Sequence, residues 1–405
     1  MSIYYFATDA HRPRAPRRRK VEYGGSHGAE SLERFWEVFT LPEGGARKVI
    51  MPARYVQGPG VLAQLGVHVR QHGSKPFVVS GRTSWSRVKA RVQASLLQAG
   101  VPLAGHDDTV TECTHAKINE VAERVESLEA DIIIGCGGGK AVDTAKAVSE
   151  KLQLPVITVP TQCATNADQM ADAVVFSEDH RFLEDVYLSQ APVLVLVDTD
   201  IVARAPPMYL VQGMGDALAC GFEKPAYAEA MRARKGQEQA TNAALEVNLR
   251  CFQTLMAHGA QAKKDVEAGR VTEAVEAVVE AIKLQSGFGF GGGGCAAAHA
   301  VHNGLTVVPG LARKHGEIVA FGTLVQMVLE KRPMGEVERV MRWCRELGLP
   351  IRLGDLGRLD LSQLPKAAEK ACDPGDSMAN MPFPVTPGMV LLAIHEVDSL
   401  AARLG

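Results

Sequence analysis

The amino-acid sequence predicts an α/β protein in two parts, a parallel-sheet domain followed by an all-helical one. Two patterns carry this expectation. From about residue 48 to 205, short apolar runs rich in β-branched residues alternate with stretches of helical spacing. After Pro206 and Pro207, alanine, glutamate and leucine recur at helical spacing with no convincing strand. The runs in the first part are continuous rather than alternating, as strands covered on both faces require. At 405 residues the chain also exceeds what one ordinary core organises.

The elements follow in order. KPFVVSG (Lys75 to Gly81) reads as a strand ending in glycine, with helical character from Ser84 to Ala99. DIIIGCGGGK (Asp131 to Lys140) is a second strand that breaks into glycines and leads into the helical AVDTAKAVSEKL. PVITVPT (Pro155 to Thr161) and APVLVLVDTD (Ala191 to Asp200) are two more buried strands. Helices are expected within Ala228 to Thr254, Val266 to Leu284 and Gly316 to Leu329. The expected division is a basic tail at 1–47, a Rossmann-like nucleotide-binding domain at 48–205 and a helical domain at 206–405. In such a fold ligands sit beyond the carboxyl ends of the strands.

Composition narrows the function. The chain is 46% hydrophobic and 22% charged, with formal net charge −2, which argues against a nucleic-acid or membrane partner for its body. No apolar run approaches the roughly 18–20 residues of a membrane span. The first residues lack the apolar stretch of a secretory signal, and the eight cysteines contain no CxxC pair. A cytoplasmic enzyme acting on a small molecule is expected. HRPRAPRRRK (His11 to Lys20) holds six basic residues and two prolines, which suits a solvated tail dispensable for catalysis.

Two segments carry chemistry. GCGGGKAVDTAK (Gly135 to Lys146) follows a strand and opens a helix, where backbone N–H groups and the helix dipole suit a pyrophosphate. Such a turn is as often purely structural, and this one matches neither GxGxxG nor the GxxxxGK[ST] loop. AAAHAVHNG places His299 and His302 three residues apart on one helix face, and KHGE supplies His315. GMGDALA puts Asp216 near a helix start. Two imidazoles and a carboxylate suit a catalytic divalent metal, though any one histidine is as readily structural.

Taken together, these segments resemble the glycerol dehydrogenases of the iron-containing alcohol dehydrogenase superfamily. The resemblance runs from RKVIMPARYVQGPGVL (Arg47 to Leu62) to NMPFPVTP (Asn380 to Pro387), through GGGKAVDTAKAV, APPMYLVQGMGDALA, SGFGF and HGEIVAFGTLVQMVLE. It implies the two-domain fold shared with dehydroquinate synthase, and a homo-oligomer. It also implies one divalent ion, zinc or ferrous iron, on Asp216, His299 and His315, with His302 beside them near the substrate. NAD or NADP would lie against Gly81, Arg82, Gly137, Gly138, Gly139, Lys140, Asp143, Thr161, Met170 and Val174. The reaction implied is hydride exchange between the nicotinamide and a small polar alcohol or its carbonyl. A cyclase related to dehydroquinate synthase, using the cofactor transiently, is the alternative.

The sequence departs from the family pattern in two places. In CATNADQMADAVVF (Cys163 to Phe176), Asn166 stands where the family has an acidic residue and Asp168 replaces a proline. An amide offers donors that a carboxylate lacks, so Asn166 and Asp168 are expected to alter substrate choice towards molecules carrying an acceptor there. In FVVSGRTSW (Phe77 to Trp85), Gly81 occupies the position of the family's aspartate, with Arg82 after it. Loss of that charge and gain of a guanidinium point to NADP used at least as well as NAD. A solvent-facing Arg82 beside an easy turn is the plainer alternative.

Overall fold

A computed structural model describes residues 46–179, 181–234, 239–290 and 294–404. Leu41 to Gly405 form one compact unit. The basic cluster at residues 11–20 lies outside the described residues.

Six parallel strands form the central sheet. They are β2 (Tyr55–Gly58), β3 (Pro76–Ser80), β4 (Gly105–Asp107), β5 (Ile132–Gly137), β6 (Val156–Pro160) and β9 (Leu194–Asp198), in the spatial order β2-β9-β6-β5-β3-β4. Every residue of β3, β5, β6 and β9 is buried, as their unbroken apolar runs require. The pleat sends alternate side chains to opposite faces. Phe77, Val79 and Ile133 meet α3 (His115–Ser127) and α4 (Gly139–Leu152) on one side. Val78, Ile132 and Ile134 meet α1 (Leu65–Val69) and α2 (Arg82–Gln98) on the other. From β3 the chain goes outward to β4 and then back to β5 on the opposite side. The order reverses there, and the crevice at such a reversal, beyond the strands' carboxyl ends, is where ligands bind. Gly81 and Arg82 end β3; Gly137 to Lys140 end β5.

The remaining elements are mostly helical. After α5 (Thr199–Ala203) come α6 (Met208–Ala233), α7 (Asn242–Glu267), α8 (Glu273–Glu280), α9 (Ser286–Phe290), α10 (Ala297–Leu305) and α11 (His315–Leu329). Helices α12 (Met334–Leu347), α13 (Leu353–Leu356), α14 (Leu364–Ala371) and α15 (Pro387–Arg403) complete the chain. Their core also takes in Cys163, Val195 and Val197 from the sheet side. Thr114, Thr241, Thr272 and Thr386 cap α3, α7, α8 and α15, each accepting from a backbone N–H of the first turn.

Some elements differ from the sequence expectation. The stretch read as one helix over Ala228 to Thr254 is interrupted, and Gln239–Ala240 forms a short strand, β10, paired in parallel with Arg47–Lys48, β1. The tail boundary drawn at 47 thus falls within a paired strand. Strands β2 and β4 and the antiparallel pair β7 (Asp172–Phe176) and β8 (Phe182–Tyr187) carry no long apolar run, so their sequences did not announce them. The stretch Val266 to Leu284 is broken after Glu267, the end of α7, resumes as α8 at Glu273, and widens from Ala281 to Gln285 into a π-helical turn.

A buried lysine fixes the loop between β6 and β7. Lys146 on α4 is fully buried; its ammonium donates to the carbonyls of Ala167 (2.6 Å), Met170 (3.3 Å) and Asp172 and pairs with Asp143 at 2.9 Å. Burial pushes the Asp143 carboxyl up to about 6 in spite of that partner. Lys146→Met leaves Asp143 and three carbonyls without the ammonium, and is expected to cost about 3–5 kcal/mol in denaturant unfolding. Adding Asp143→Asn should recover part of the loss. Unchanged stability in Lys146→Met would show that the ammonium does not hold this loop.

Candidate metal and cofactor site

The metal candidates come from three helices. Asp216 lies on α6, His299 on α10, and His315 is the first residue of α11. Helices α6 and α11 approach closely because both carry glycine at the crossing. A Cβ on Gly215 would lie 2.4 Å from the Gly316 carbonyl oxygen, and one on Gly316 would lie 2.0 Å from that of Gln212. Neither site admits a side chain. The start of α11 is further held by Glu317, which accepts from the Lys314 backbone N–H at 3.1 Å and from Arg313 at 2.8 Å. Gln212 of α6 donates to the same carboxylate at 3.2 Å.

These helices bring the predicted triad together. Asp216 Oδ1 lies 3.5 Å from His299 Nε2 and 3.4 Å from His315 Nε2. One donor atom from each residue fits within a 4.8 Å span. Asp216 is 4% exposed, and its Oδ1 is buried without a hydrogen-bond partner. A buried, unsatisfied carboxylate oxygen between two imidazole nitrogens is the donor set that a divalent ion with an open coordination position uses. Burial alone would raise the Asp216 carboxyl, but the rings of His299 and His315 outweigh it and hold it well below the usual carboxylate range. Burial likewise opposes a charged His299, yet Cys295, Glu223 and Asp216 raise that ring well above its usual value. The pocket favours positive charge.

Residues that sequence reasoning missed orient the ligands. Glu223 follows Asp216 by seven residues, two helical turns, and is fully buried. Its Oε2 lies 2.7 Å from His299 Nδ1, and its Oε1 accepts from the backbone N–H groups of Ala296 (2.8 Å) and His299 (2.9 Å). With Nδ1 donating to Glu223, Nε2 is the ring atom left to an ion beside Asp216. The seven-residue spacing was the available signal. Glu223, Cys295 and His299 form a second group compact enough for an ion. Both Glu223 oxygens are already bonded, whereas Asp216 Oδ1 is not, which favours the first group. His302 Nε2 lies 3.1 Å from His315 Nδ1, so this histidine sits behind a ligand. Burial, seconded by His315, pushes the His302 ring down to about 3.

The glycine turn forms the other half of the site. Gly138 caps α4 without a side-chain hydrogen bond, and the Ala141 N–H turns back to the Gly138 carbonyl at 3.1 Å. A cleft lined by Gly137, Gly138, Gly139, Gln162, Thr165, Asp168 and Lys283 lies against it. Thr161 donates its N–H to the Gly137 carbonyl at 2.9 Å, and its hydroxyl meets that of Ser84 at 3.1 Å. Lys140 pairs with Glu112 at 2.9 Å. Gly81 is extended and Arg82, which opens α2, is exposed. Among the sequence-predicted cofactor residues, Asp143 is paired with Lys146 and is absent from the cleft lining, while Met170 and Val174 are half-buried.

Asp168 lines the cleft, and both it and Asn166 are anchored by buried partners. Asn166 Nδ2 donates to Ser286 Oγ at 3.0 Å, and Asp168 forms a buried ion pair with Lys283, whose ammonium also donates to the Thr165 carbonyl at 2.7 Å. Lys283 stands in the π-helical turn, four residues beyond the buried Val279. A lysine continuing an apolar helix face was the clue that the sequence reading passed over. The Cys163 carbonyl of the same loop packs where a Cβ on Gly213 would stand, one turn before Asp216. This loop therefore connects the glycine turn to the helix that carries Asp216.

Glu223→Ala is expected to weaken divalent-metal affinity about ten- to a hundredfold, as removal of a carboxylate behind a histidine ligand usually does. A metal titration of the apoprotein checks this. Wild-type affinity in the variant would remove Glu223 from the account.

Comparisons with known proteins show the family. Residues 52–199 match the family model described as iron-containing alcohol dehydrogenase. The chain is 40% identical over 366 residues to the glycerol dehydrogenase of Thermotoga maritima, covering 86% of this chain and 96% of that one. It is 38% identical over 357 residues to the glycolaldehyde reductase of Halobacterium salinarum, covering 87% and 97%. The crystal structure of the glycerol dehydrogenase from Schizosaccharomyces pombe superposes with a TM-score of 0.83 at 30% identity, covering 90% of this chain and 93% of that one. The chain therefore belongs to the iron-containing alcohol dehydrogenase family, as a metal-dependent oxidoreductase of the alcohol and polyol class that uses a nicotinamide cofactor.

Proposed function

We propose that this enzyme interconverts a small vicinal diol or hydroxy-carbonyl compound and its oxidised partner, with Asp216, His299 and His315 holding one divalent ion. The relatives named for glycerol and glycolaldehyde support that substrate class. The observation that carries the proposal is the unpartnered Asp216 Oδ1 set between two imidazole nitrogens. A zinc or ferrous ion there supplies Lewis-acid polarisation of the substrate oxygen. The nicotinamide supplies or takes up the hydride. This chain's own residues do the positioning. Glu223 and His302 hold the two imidazoles, and the glycine turn with its uncapped helix receives the diphosphate. Asn166, tied to Ser286, presents an amide, which admits substrates carrying an acceptor.

The division at 48–205 and 206–405, with substrate between the two parts, belongs to the same reading. So does a cytoplasmic location, in keeping with eight unbridged cysteines. No described helix is long and apolar enough to cross a membrane. A homo-oligomer is also part of it, since Phe182, Leu183 and Tyr187 on β8 leave apolar side chains exposed. The two relatives named above, matched over 86% and 87% of this chain, are a dehydrogenase and a reductase, and neither supports the cyclase alternative.

Replacing each imidazole tests the reaction. His299→Ala and His315→Ala should each lose the bound metal and at least about a hundredfold in kcat/KM on a panel of diols, hydroxyacids and aldehydes. Full turnover by metal-free protein would refute the assignment. For the cofactor, Gly81 removes the charge that repels a 2′-phosphate and Arg82 stands free at the end of β3, which supports NADP(H) used at least as well as NAD(H). Arg82→Ala should weaken NADP(H) about ten- to a hundredfold and leave NAD(H) nearly unchanged. A wild-type preference for NAD(H), with both cofactors affected alike, would contradict it.

A further inference from the structure

We propose that Asn303 and Asp376 are positioning residues that set the tautomer of His315, and through it the atom offered to the metal. The inference rests on the triad proposed above. It starts from a chain of hydrogen bonds in which each donor dictates the next. Asp376, at the turn preceding Ser377–Asn380, accepts the Ser377 backbone N–H at 2.6 Å and lies 3.2 and 3.0 Å, through Oδ1 and Oδ2, from Asn303 Nδ2. A carboxylate only accepts, so Asn303 must turn its amide nitrogen to Asp376 and its oxygen the other way. That oxygen lies 2.9 Å from His302 Nδ1, which must therefore carry a proton. Neutral His302 then has its lone pair on Nε2, 3.1 Å from His315 Nδ1, and this nitrogen becomes the donor. The remaining lone pair of His315 is on Nε2, the atom 3.4 Å from Asp216 Oδ1, so two acceptors face each other there unless a cation lies between them.

The opposite assignment fails at its far end. Were His315 protonated on Nε2, His302 would have to donate from Nε2 and accept at Nδ1. Asn303 would then turn its oxygen against the Asp376 carboxylate, placing two acceptors about 3 Å apart. Asp376 thus acts on the metal site through three side chains and touches no ligand. Glu223 sets His299 directly, so each imidazole has its own carboxylate reference.

Cobalt titration of the chelator-stripped protein, read by absorbance, tests the relay. An asparagine at 376 both donates and accepts, so Asp376→Asn frees the Asn303 amide to turn over. Affinity for cobalt should fall tenfold or more, the range seen when groups behind metal ligands are removed. The melting temperature of the metal-free protein should stay near wild type. In a His302→Ala background, where the relay is already cut, Asp376→Asn should add less than about twofold, because the two changes act through one path. Asn303→Ala should reproduce both results and stands in should Asp376→Asn fail to fold. Unchanged affinity in the single variants, or the same loss in both backgrounds, would overturn the relay. A wild-type protein that binds no stoichiometric cobalt would instead refute the triad and the relay with it.

Discussion

The buried carboxylate of Asp216 organises much of what surrounds it. An ionised side chain with one oxygen out of contact with water and without a hydrogen-bond donor is costly unless positive charge meets it. Two imidazoles face it at 3.4 and 3.5 Å, and the rest of the site holds those rings in place. Glycines at the α6–α11 crossing remove the side chains that would keep the helices apart. Glu317 fixes the first turn of α11, and Glu223 fixes the ring of His299. The arrangement is pre-set by packing, as a site that must present its donors to an ion and to substrate requires.

The sheet contributes through one loop. Residues 163–172 leave β6, line the cleft and return as β7, and two buried lysines hold them. Lys146 gathers the carbonyls of Ala167, Met170 and Asp172, while Lys283 takes Thr165 and Asp168. Both ammonium groups are buried and paired, so removing either leaves a buried carboxylate and buried carbonyls without their cation. This loop touches both the glycine turn and α6. The proposed substrate and cofactor contacts are in this way mechanically linked.

Much of the fold was legible because the buried strands β3, β5, β6 and β9 are continuous β-branched runs, a signal that survives without tertiary information. Strands β2 and β4 are short and partly exposed, and β7 and β8 pair only with each other, so their sequences carried no comparable mark. Spacing alone left each histidine as readily structural; the candidate triad was legible because Asp216, His299 and His315 sit in motifs that resemble those of a known family. Their supports were not. Glu223 and Lys283 look like ordinary helix residues until packing brings them to His299 and Asp168. Asp376 is 73 residues from Asn303, and only the fold joins them.

X-ray absorption at the zinc edge, on protein loaded with one equivalent of zinc, tests the central assignment most directly. The two groups of residues compact enough for an ion share His299 but differ in sulfur, since one contains Cys295. The account predicts a nearest shell of nitrogen and oxygen at about 2.0–2.2 Å, with the outer scattering of two imidazoles and no sulfur. A sulfur neighbour at about 2.3 Å, with a single imidazole, would place the ion on Cys295 and contradict it.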